Sequence, residues 1–443
     1  MIKIIDKFLS KKKSEEVLFP DEPNILFGRY SDQNKTKEQY ESWDKSSALY
    51  KEKRYLDAYS EFFNYLKDKN IDNVLFTRDE SKITFTIIQG SKIVNGTINN
   101  REIQAEADVV RFEKLEVPVM RKLLQENYYL YFSKFAVKTD IYTLKYFSPI
   151  EDAHPSSLYY ALKEVATEAD MYDDVLVEEF DSLQAVNTDY IEQISEAEKN
   201  IKLKYFRKWI DETFMRIKDI DSDKLTGSIS YNLLSLAFKI YYLLAPEGKL
   251  LDDIRFIQGI FYADDDNNLN EKNYRMMEEF KVMRQKPDAE ILKSFYKVKA
   301  TFGVAKPSSH EHVVNFMQDE LDKTKWFIEN KHPEIGREMC EYIVSYSCYS
   351  YGMPAIANDI LMVAWRILNP EIFKELGFTQ QFYEPETKKF HIDAIKKRIN
   401  ALISHSKKRH EKISFNSNSL NFNSLNEFIF SFIDEFRNLN YDK

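Results

Sequence analysis

Two histidines flank a carboxylate at His310-Glu311-His312, and His332 follows a helix-length later. Imidazoles two residues apart point to different sides of a helix and could share an ion only from a strand. The preceding Pro307-Ser308-Ser309 predicts a helix start with Ser308 or Ser309 as its cap, so these side chains read as helix surface. Asp264, Asp265, Asp266, Asn267, Asn268 and Asn270 put oxygen ligands at short spacing. A calcium loop also needs a glycine at its sharp turn and a distal bidentate glutamate. No glycine is present and Glu271 is too near, so a solvated loop between helices is expected. Asp211-Glu212 and Glu278-Glu279 are adjacent carboxylates, which face apart on a helix. There is no nucleophile elbow and no glycine-rich phosphate loop, and neither cysteine has the flanks of a catalytic thiol. No catalytic residue, metal ligand or cofactor follows, and the chain reads as a non-enzyme.

Positive charge gathers at Lys396, Lys397, Arg398, Lys407, Lys408, Arg409 and His410, beside an apolar stripe of Ile395, Ile399, Leu402 and Ile403. Such a helix could meet nucleic acid, an acidic partner or a membrane surface. A packed helix with a solvated basic face is preferred, because the aromatic interleaving of a single-strand binder is missing. The whole chain carries 63 basic against 72 acidic residues, and its net charge of −9 opposes nonspecific binding to nucleic acid.

These residues must be held by a folded scaffold. The chain has 443 residues, 43% hydrophobic and 14% aromatic, enough for two to three structural units with ring-rich interiors. Only 10 Gly and 12 Pro favour long helices over a many-stranded barrel. Cys340 and Cys348 lie eight apart in a helical pattern, about 12 Å along the axis, too far for a mutual disulfide. No apolar run has membrane-spanning length, and Met1 to Lys13 is too charged for a signal peptide, so a cytoplasmic home is expected.

The pattern predicts an α+β fold, with a central antiparallel-sheet domain and a large all-α C-terminal domain. The expected division is residues 1–70, 71–185 and 186–443. A small apolar helix over Ile2 to Leu9 precedes a helical hairpin on Ser46, Leu49, Tyr55, Ala58, Phe62 and Tyr65. Ile83, Phe85 and Ile87 share one strand face, Gln89-Gly90-Ser91 turns, Ile93 to Ile98 returns, and Ile103 to Val109 alternates after Asn99-Asn100. A short helix follows Pro118, with Met120, Leu123 and Leu124 on its apolar side. Strands at Tyr128 to Val137 and Ile141 to Phe147 then form a hairpin. A long helix from Pro155 carries Leu158, Leu162, Val165, Ala169, Tyr172 and Leu176. From about Ile191 only helices are expected, the last over Phe428 to Phe436 after an Asn/Ser-rich loop from Ser414 to Ser424.

The segment SALYKEKRYLDAYSEFFNYL resembles a single tetratricopeptide unit, with Ser46 where a glycine is usual. The order of elements through LLQENYYLYFSKFAVKTDIYTLKYFSPI into SSLYYALKEVATEADMYDDVL resembles the small sheet-and-helix domains of type III secretion chaperones and the YbjN-like bacterial family. That resemblance covers about a quarter of the chain. It implies a bacterial protein-binding adaptor or secretion-type chaperone, with another protein as partner and a homodimer as one form. The partner-binding residues it suggests are the hairpin aromatics Tyr129, Tyr131, Tyr142 and Tyr146. Alternatives are a structural subunit of a larger bacterial assembly, and a nucleic-acid-associated protein using Lys407, Lys408 and Arg409.

Overall fold

A computed structural model describes residues 18–442, apart from 29–34, 69–70, 188–190, 223, 304, 306 and 331. The expected helix over Ile2 to Leu9 lies outside the described residues. The chain divides into two compact units, residues 26–358 and residues 1–25 with 359–443.

The larger unit begins with a helical hairpin, α1 (Lys37–Lys51) and α2 (Tyr55–Leu66). Thr36 and Gln39 form a reciprocal capping box at the start of α1, satisfying two amides that the first turn leaves unpaired. The Gln39 side-chain amide also donates to the carbonyls of Tyr65 and Lys67, tying the start of α1 to the end of α2. The sheet follows as β1 (Val74–Arg78), β2 (Lys82–Gln89), β3 (Lys92–Asn99) and β4 (Glu102–Phe112). Then come α3 (Val117–Tyr129), β5 (Lys134–Lys138), β6 (Ile141–Pro149), α4 (Pro155–Glu179) and β7 (Leu183–Ala185). The strand order is β1-β2-β3-β4-β6-β5, with β7 adding to the far part of β4. Neighbouring strands are antiparallel throughout.

Period-two alternation gives the sheet its dry and wet faces. Ile83, Phe85, Ile87, Ala105, Ala107, Leu144 and Tyr146 are buried in one core together with Leu158, Leu162 and Val165 of α4 and Tyr59, Phe62 and Phe63 of α2. The helical hairpin and the sheet therefore share a core. On the wet face Glu106 pairs with Lys138 and with Lys145.

The sequence pattern misplaces one element. Residues 128 and 129 end α3 and 130–133 form a loop, so the strand expected from Tyr128 starts only at Lys134. The loop amides bond to a carboxylate on α4, a tertiary partner that local alternation does not reveal.

The rest of the larger unit is helical: α5 (Glu196–Lys218), α6 (Thr226–Lys239), α7 (Gly248–Tyr262), α8 (Leu269–Gln285), α9 (Asp288–Lys293), α10 (His310–Glu329) and α11 (Pro333–Ser350). An extended stretch at 299–303 crosses the end of the sheet. The Gly90 amide donates to the Lys299 carbonyl, the Thr301 hydroxyl to Ile88 O, and the Phe302 amide to Gln89 Oε1.

In the other unit, α12 (Ala355–Leu368) is followed by α13 (Pro370–Glu375), a two-residue hairpin of β8 (Tyr383–Glu384) and β9 (Lys389–Phe390), α14 (Ile392–Ser406) and α15 (Leu425–Phe436). The small hairpin departs from the all-α expectation. Glu22 lies between two arginines, 2.6 Å from Arg366 and 3.0 Å from Arg398, and fixes its segment to α12 and α14. Arg366 is buried over the Phe382 ring, 4.2 Å from its centroid, so its guanidinium is both paired and stacked.

Candidate functional site

α3 turns more apolar surface outward than inward. Val119 and Leu123 face the core, whereas Val117, Met120, Leu124 and Tyr128 form an exposed stripe along one side. Leu124 is 67% exposed and Tyr128 85%. Tyr129 at the helix end, and Tyr131 and Phe132 past it, extend the patch, with Tyr131 90% exposed. Large exposed apolar patches of this kind mark interaction sites.

The loop that presents Tyr131 and Phe132 is held in place. One carboxylate of α4, Glu164, accepts from the amides of Tyr131 at 2.8 Å, Phe132 at 2.9 Å and Ser133 at 2.7 Å, and from the Ser133 hydroxyl at 2.7 Å. Four bonds to one carboxylate fix the loop at its backbone while its rings point to solvent. Beside it, the Asn127 side chain accepts from the Phe135 amide and donates to the Phe135 carbonyl, at 2.6 and 3.3 Å. β5 is an edge strand, and this amide closes its outward backbone groups at that position.

A second feature lies on the opposite kind of surface. A cavity of about 460 Å³ opens between the β2–β3 turn, the end of α4, the chain after β7, the start of α7, and α9 with the residues after it. Its floor carries Lys92, Asp173, Asp174, Glu247 and Tyr296, and Val186, Leu250 and Ile291 supply apolar wall. Lys92 is 1% exposed and spends its three ammonium hydrogens on Asp173 Oδ2 at 2.8 Å and on the carbonyls of Val109 and Val186 at 3.1 Å each. Ser91 Oγ shares its hydrogen between Asp173 Oδ2 at 2.8 Å and Asp170 Oδ1 at 3.2 Å, and the Ser91 amide donates to Asp170 at 2.8 Å.

Asp173 Oδ1 is buried without a hydrogen-bond partner. Asp174 pairs with no lysine or arginine among the described residues. Burial first, then the neighbouring Asp173 charge, pushes the Asp174 carboxyl up to about 8. Burial also raises Asp170, with Glu247 and Asp173 adding to it, and raises Asp173 against the pull of Lys92.

The sequence-predicted site residues scatter. Tyr129 and Tyr131 are exposed and sit in the α3 patch, though at a helix end and in a loop rather than in a hairpin. Tyr142 and Tyr146 are buried in the core and so face no partner. They occupy the same strand parity as Leu144, which packs under α4. Lys407, Lys408 and Arg409 are exposed past the end of α14, while Ile395, Ile399, Leu402 and Ile403 are buried on its inner side. His310 and His312 begin α10, with Ser309 capping the His312 amide at 3.2 Å. Asp265 is engaged by Asn267 and Lys272, and Asn268 caps α8. No three His, Cys, Asp or Glu side chains among the described residues are grouped to hold a metal ion. Cys340 and Cys348 are both buried and form no disulfide. No helix among the described residues is long and apolar enough to cross a membrane.

Sequence reasoning missed the cavity entirely. Its charges come from Lys92, from the α4 pair and from residues 247–296, and only the crowding of Asp170, Asp173 and Asp174 on one helix face was there to be read. No protein-family model matches the chain, and no curated protein matches it. The resemblance to secretion chaperones therefore has the order of its elements behind it and nothing else.

Proposed function

We propose that this chain is a protein-binding adaptor of the secretion-chaperone kind, acting in the cytoplasm, and that α3 with the loop at 130–133 is its docking surface. The observation that carries this reading is the exposed stripe Val117, Met120, Leu124 and Tyr128 next to a loop whose backbone is pinned by Glu164. A pinned loop loses little conformational freedom on binding, so apolar burial there converts more fully into affinity. The partner surface that fits is an amphipathic helix. The stripe follows a helical seam about 16 Å long, a ridge suited to a neighbouring helix.

The test is a photo-crosslinking residue placed at Tyr131 in the full chain and, as a control, at the exposed Tyr274 of α8. A single heterologous protein captured in fixed ratio from position 131, absent at 274 and lost in Leu124→Ser, is the expected result. Adducts only with a second copy of the chain, or the same adducts from both positions, would overturn the reading.

A further inference from the structure

Residues 18–25 belong to the same unit as residues 359–443, have no helix or strand of their own, and none of them is buried. Their backbone-to-backbone hydrogen bonds among the described residues stay inside the segment, Glu22 N to Phe19 O at 3.2 Å and Ile25 N to Pro23 O at 2.9 Å. The side chains that receive the segment are the reverse. Arg366 on α12 is 3% exposed, and the side chain of Arg398 on α14 is 11% exposed. A surface segment thus completes a buried cationic site, and it is held there through side chains rather than a backbone ladder.

The contacts are those of a short motif in a receptor. The Glu22 amide closes a turn onto the Phe19 carbonyl, and Pro20 occupies the position where proline presets the backbone of such a turn. The turn brings a ring and a carboxylate to one guanidinium: the Phe19 centroid is 3.3 Å from Arg398 Cζ, and Glu22 Oε2 is 3.0 Å from the same side chain. Glu22 Oε1 accepts from Arg366 at 2.6 Å. Pro23 lies against Gly377, where an added Cβ would come within 3.4 Å of the proline Cγ.

Arg366 keeps its place without Glu22. Its other terminal nitrogen donates to Gln380 O at 2.5 Å, and its guanidinium lies over the rings of Phe382 and Phe378, 4.2 and 5.0 Å from their centroids. The receptor is therefore preformed. Both guanidiniums stay charged at any pH at which the protein folds, so a carboxylate must replace Glu22 whenever the segment leaves. Asp359 acts on Arg398 from a distance, and Glu22 is the carboxylate that pairs with it among the described residues.

We propose that Arg366 and Arg398 form a receptor for an acidic linear motif of a partner protein, and that residues 18–25 are a plug that closes this site until such a motif displaces them. The motif is an aromatic residue and a glutamate three positions apart on a proline turn, the chemistry that Phe19, Pro20 and Glu22 display. Exchange replaces one carboxylate and one ring by another, so what separates plug from partner is the tether, which gives the plug an effective concentration in the millimolar range. A second copy of the chain brings only the same contacts and loses to the tethered segment at ordinary concentrations. A partner prevails through contacts that it adds beyond the turn. The site uses none of the α3 residues and stands or falls independently of the docking surface proposed there.

Fluorescence anisotropy of a labelled LFPDEPNILFG peptide, the sequence of residues 18–28, titrated with the full chain tests this. Glu22→Gln, which takes the charge from the plug, should bind the peptide at least about tenfold more tightly than wild type does. The same peptide with glutamine in place of its glutamate should lose at least about tenfold on that chain. Phe19→Ser leaves Glu22 between the arginines and removes only the ring, so it should fall between wild type and Glu22→Gln, and it serves as the opened chain if Glu22→Gln does not fold. Equal binding of the two peptides, equal binding by wild-type and opened chains, or no saturable binding by a folded opened chain would each overturn the proposal. Dimers of the wild-type chain in light scattering that disappear in Glu22→Gln would overturn it in favour of exchange between copies.

Discussion

One helix serves two regions built on opposite principles. Near its middle, α4 directs Glu164 to the 130–133 loop. There four donors satisfy a single carboxylate, and what remains unmatched is apolar: Leu124, Tyr128 and Tyr131 facing water. About 9–15 Å further along come Asp170, Asp173 and Asp174, the last two beside the buried Lys92 at a cavity, and what remains unmatched there is polar. An unmatched group is costly in either setting, by lost apolar burial in the first and by lost solvation in the second. The comparison teaches what each end of α4 supports: an apolar face with a fixed backbone beside α3, and a cluster of carboxylates around a buried lysine at the other.

The sharpest way to break this contrast is to remove the one cation on the cavity floor. Lys92→Met leaves Asp173 buried without compensation and should cost about 3–5 kcal/mol by urea denaturation near neutral pH. The loss should shrink as the solution is acidified and Asp173 takes up a proton. A loss under about 1 kcal/mol at neutral pH would mean that the pair is not ionised in the folded protein.

Gly90 tests the geometry that brings the acids to the turn. Its φ of +54° is a left-handed conformation, and a Cβ built there would lie 2.1 Å from Asp170 Oδ1. Gly90→Ala must therefore strain the backbone and displace the carboxylate that accepts from the Ser91 amide, at about 2–3 kcal/mol together. Adding Asp170→Ala should recover part of the loss. If it recovers none, the cost lies in the backbone alone.

A pH profile sharpens the contrast without any substitution. The Asp174 carboxyl is raised in the folded protein above its unfolded value near 4, so between about pH 4 and pH 8 the folded state binds a proton that the unfolded state does not. Its contribution to stability is complete below the unfolded value and is lost as pH rises through about 8, by up to ~1.4 kcal/mol per pH unit. Elsewhere the sign is reversed. Arg78 beside Asp57, the Ser81 amide on Asp79 and Lys297 beside Glu192 hold those carboxyls below their ordinary values, and the stability they contribute falls away only in more acidic solution. Thermal melts between pH 5 and pH 8 should therefore show stability rising on acidification, more steeply in wild type than in Asp174→Asn. Parallel slopes would remove Asp174 from the account.

The two regions also differ in how much of them the sequence announces. Alternation along Ile83, Phe85 and Ile87 and the stripe Leu158, Leu162 and Val165 are local periodicities, and both elements form where those patterns lie. The outward stripe on α3 is half visible in the sequence: the pattern groups Met120, Leu123 and Leu124 on one apolar side, whereas only Leu123 packs and the other two face solvent. A helix with apolar residues on two sides does not say which side is inside. The ring of Tyr131 is legible in the sequence, but its loop is not, because the loop is held by Glu164 from 31 to 33 residues away. The cavity was invisible because Lys92 meets Asp173 across 81 positions and Glu247 joins from a third element, and no spacing rule spans such distances. Gly90 was read as a turn glycine, which it is, without sight of the carboxylate that would also forbid a side chain there.

The smallest expected effect belongs to the clamp itself. Glu164→Ala removes the acceptor of the Tyr131, Phe132 and Ser133 amides, but the first two of these bonds lie at the surface, where water can take over. The cost to global stability should be only about 1 kcal/mol, most of it from the buried Ser133. The local effect should be larger: amide hydrogen exchange at 131–133 should speed up by an order of magnitude or more while exchange in α4 and β6 is unchanged. Glu164→Gln keeps one acceptor oxygen but turns two hydrogens toward amide donors, so it should fall between wild type and alanine. If exchange at 131–133 does not change in either variant, the loop is held by the packing of α3 and β5 rather than by the carboxylate. The exposed rings would then lose the backbone support that distinguishes this face from an ordinary apolar surface.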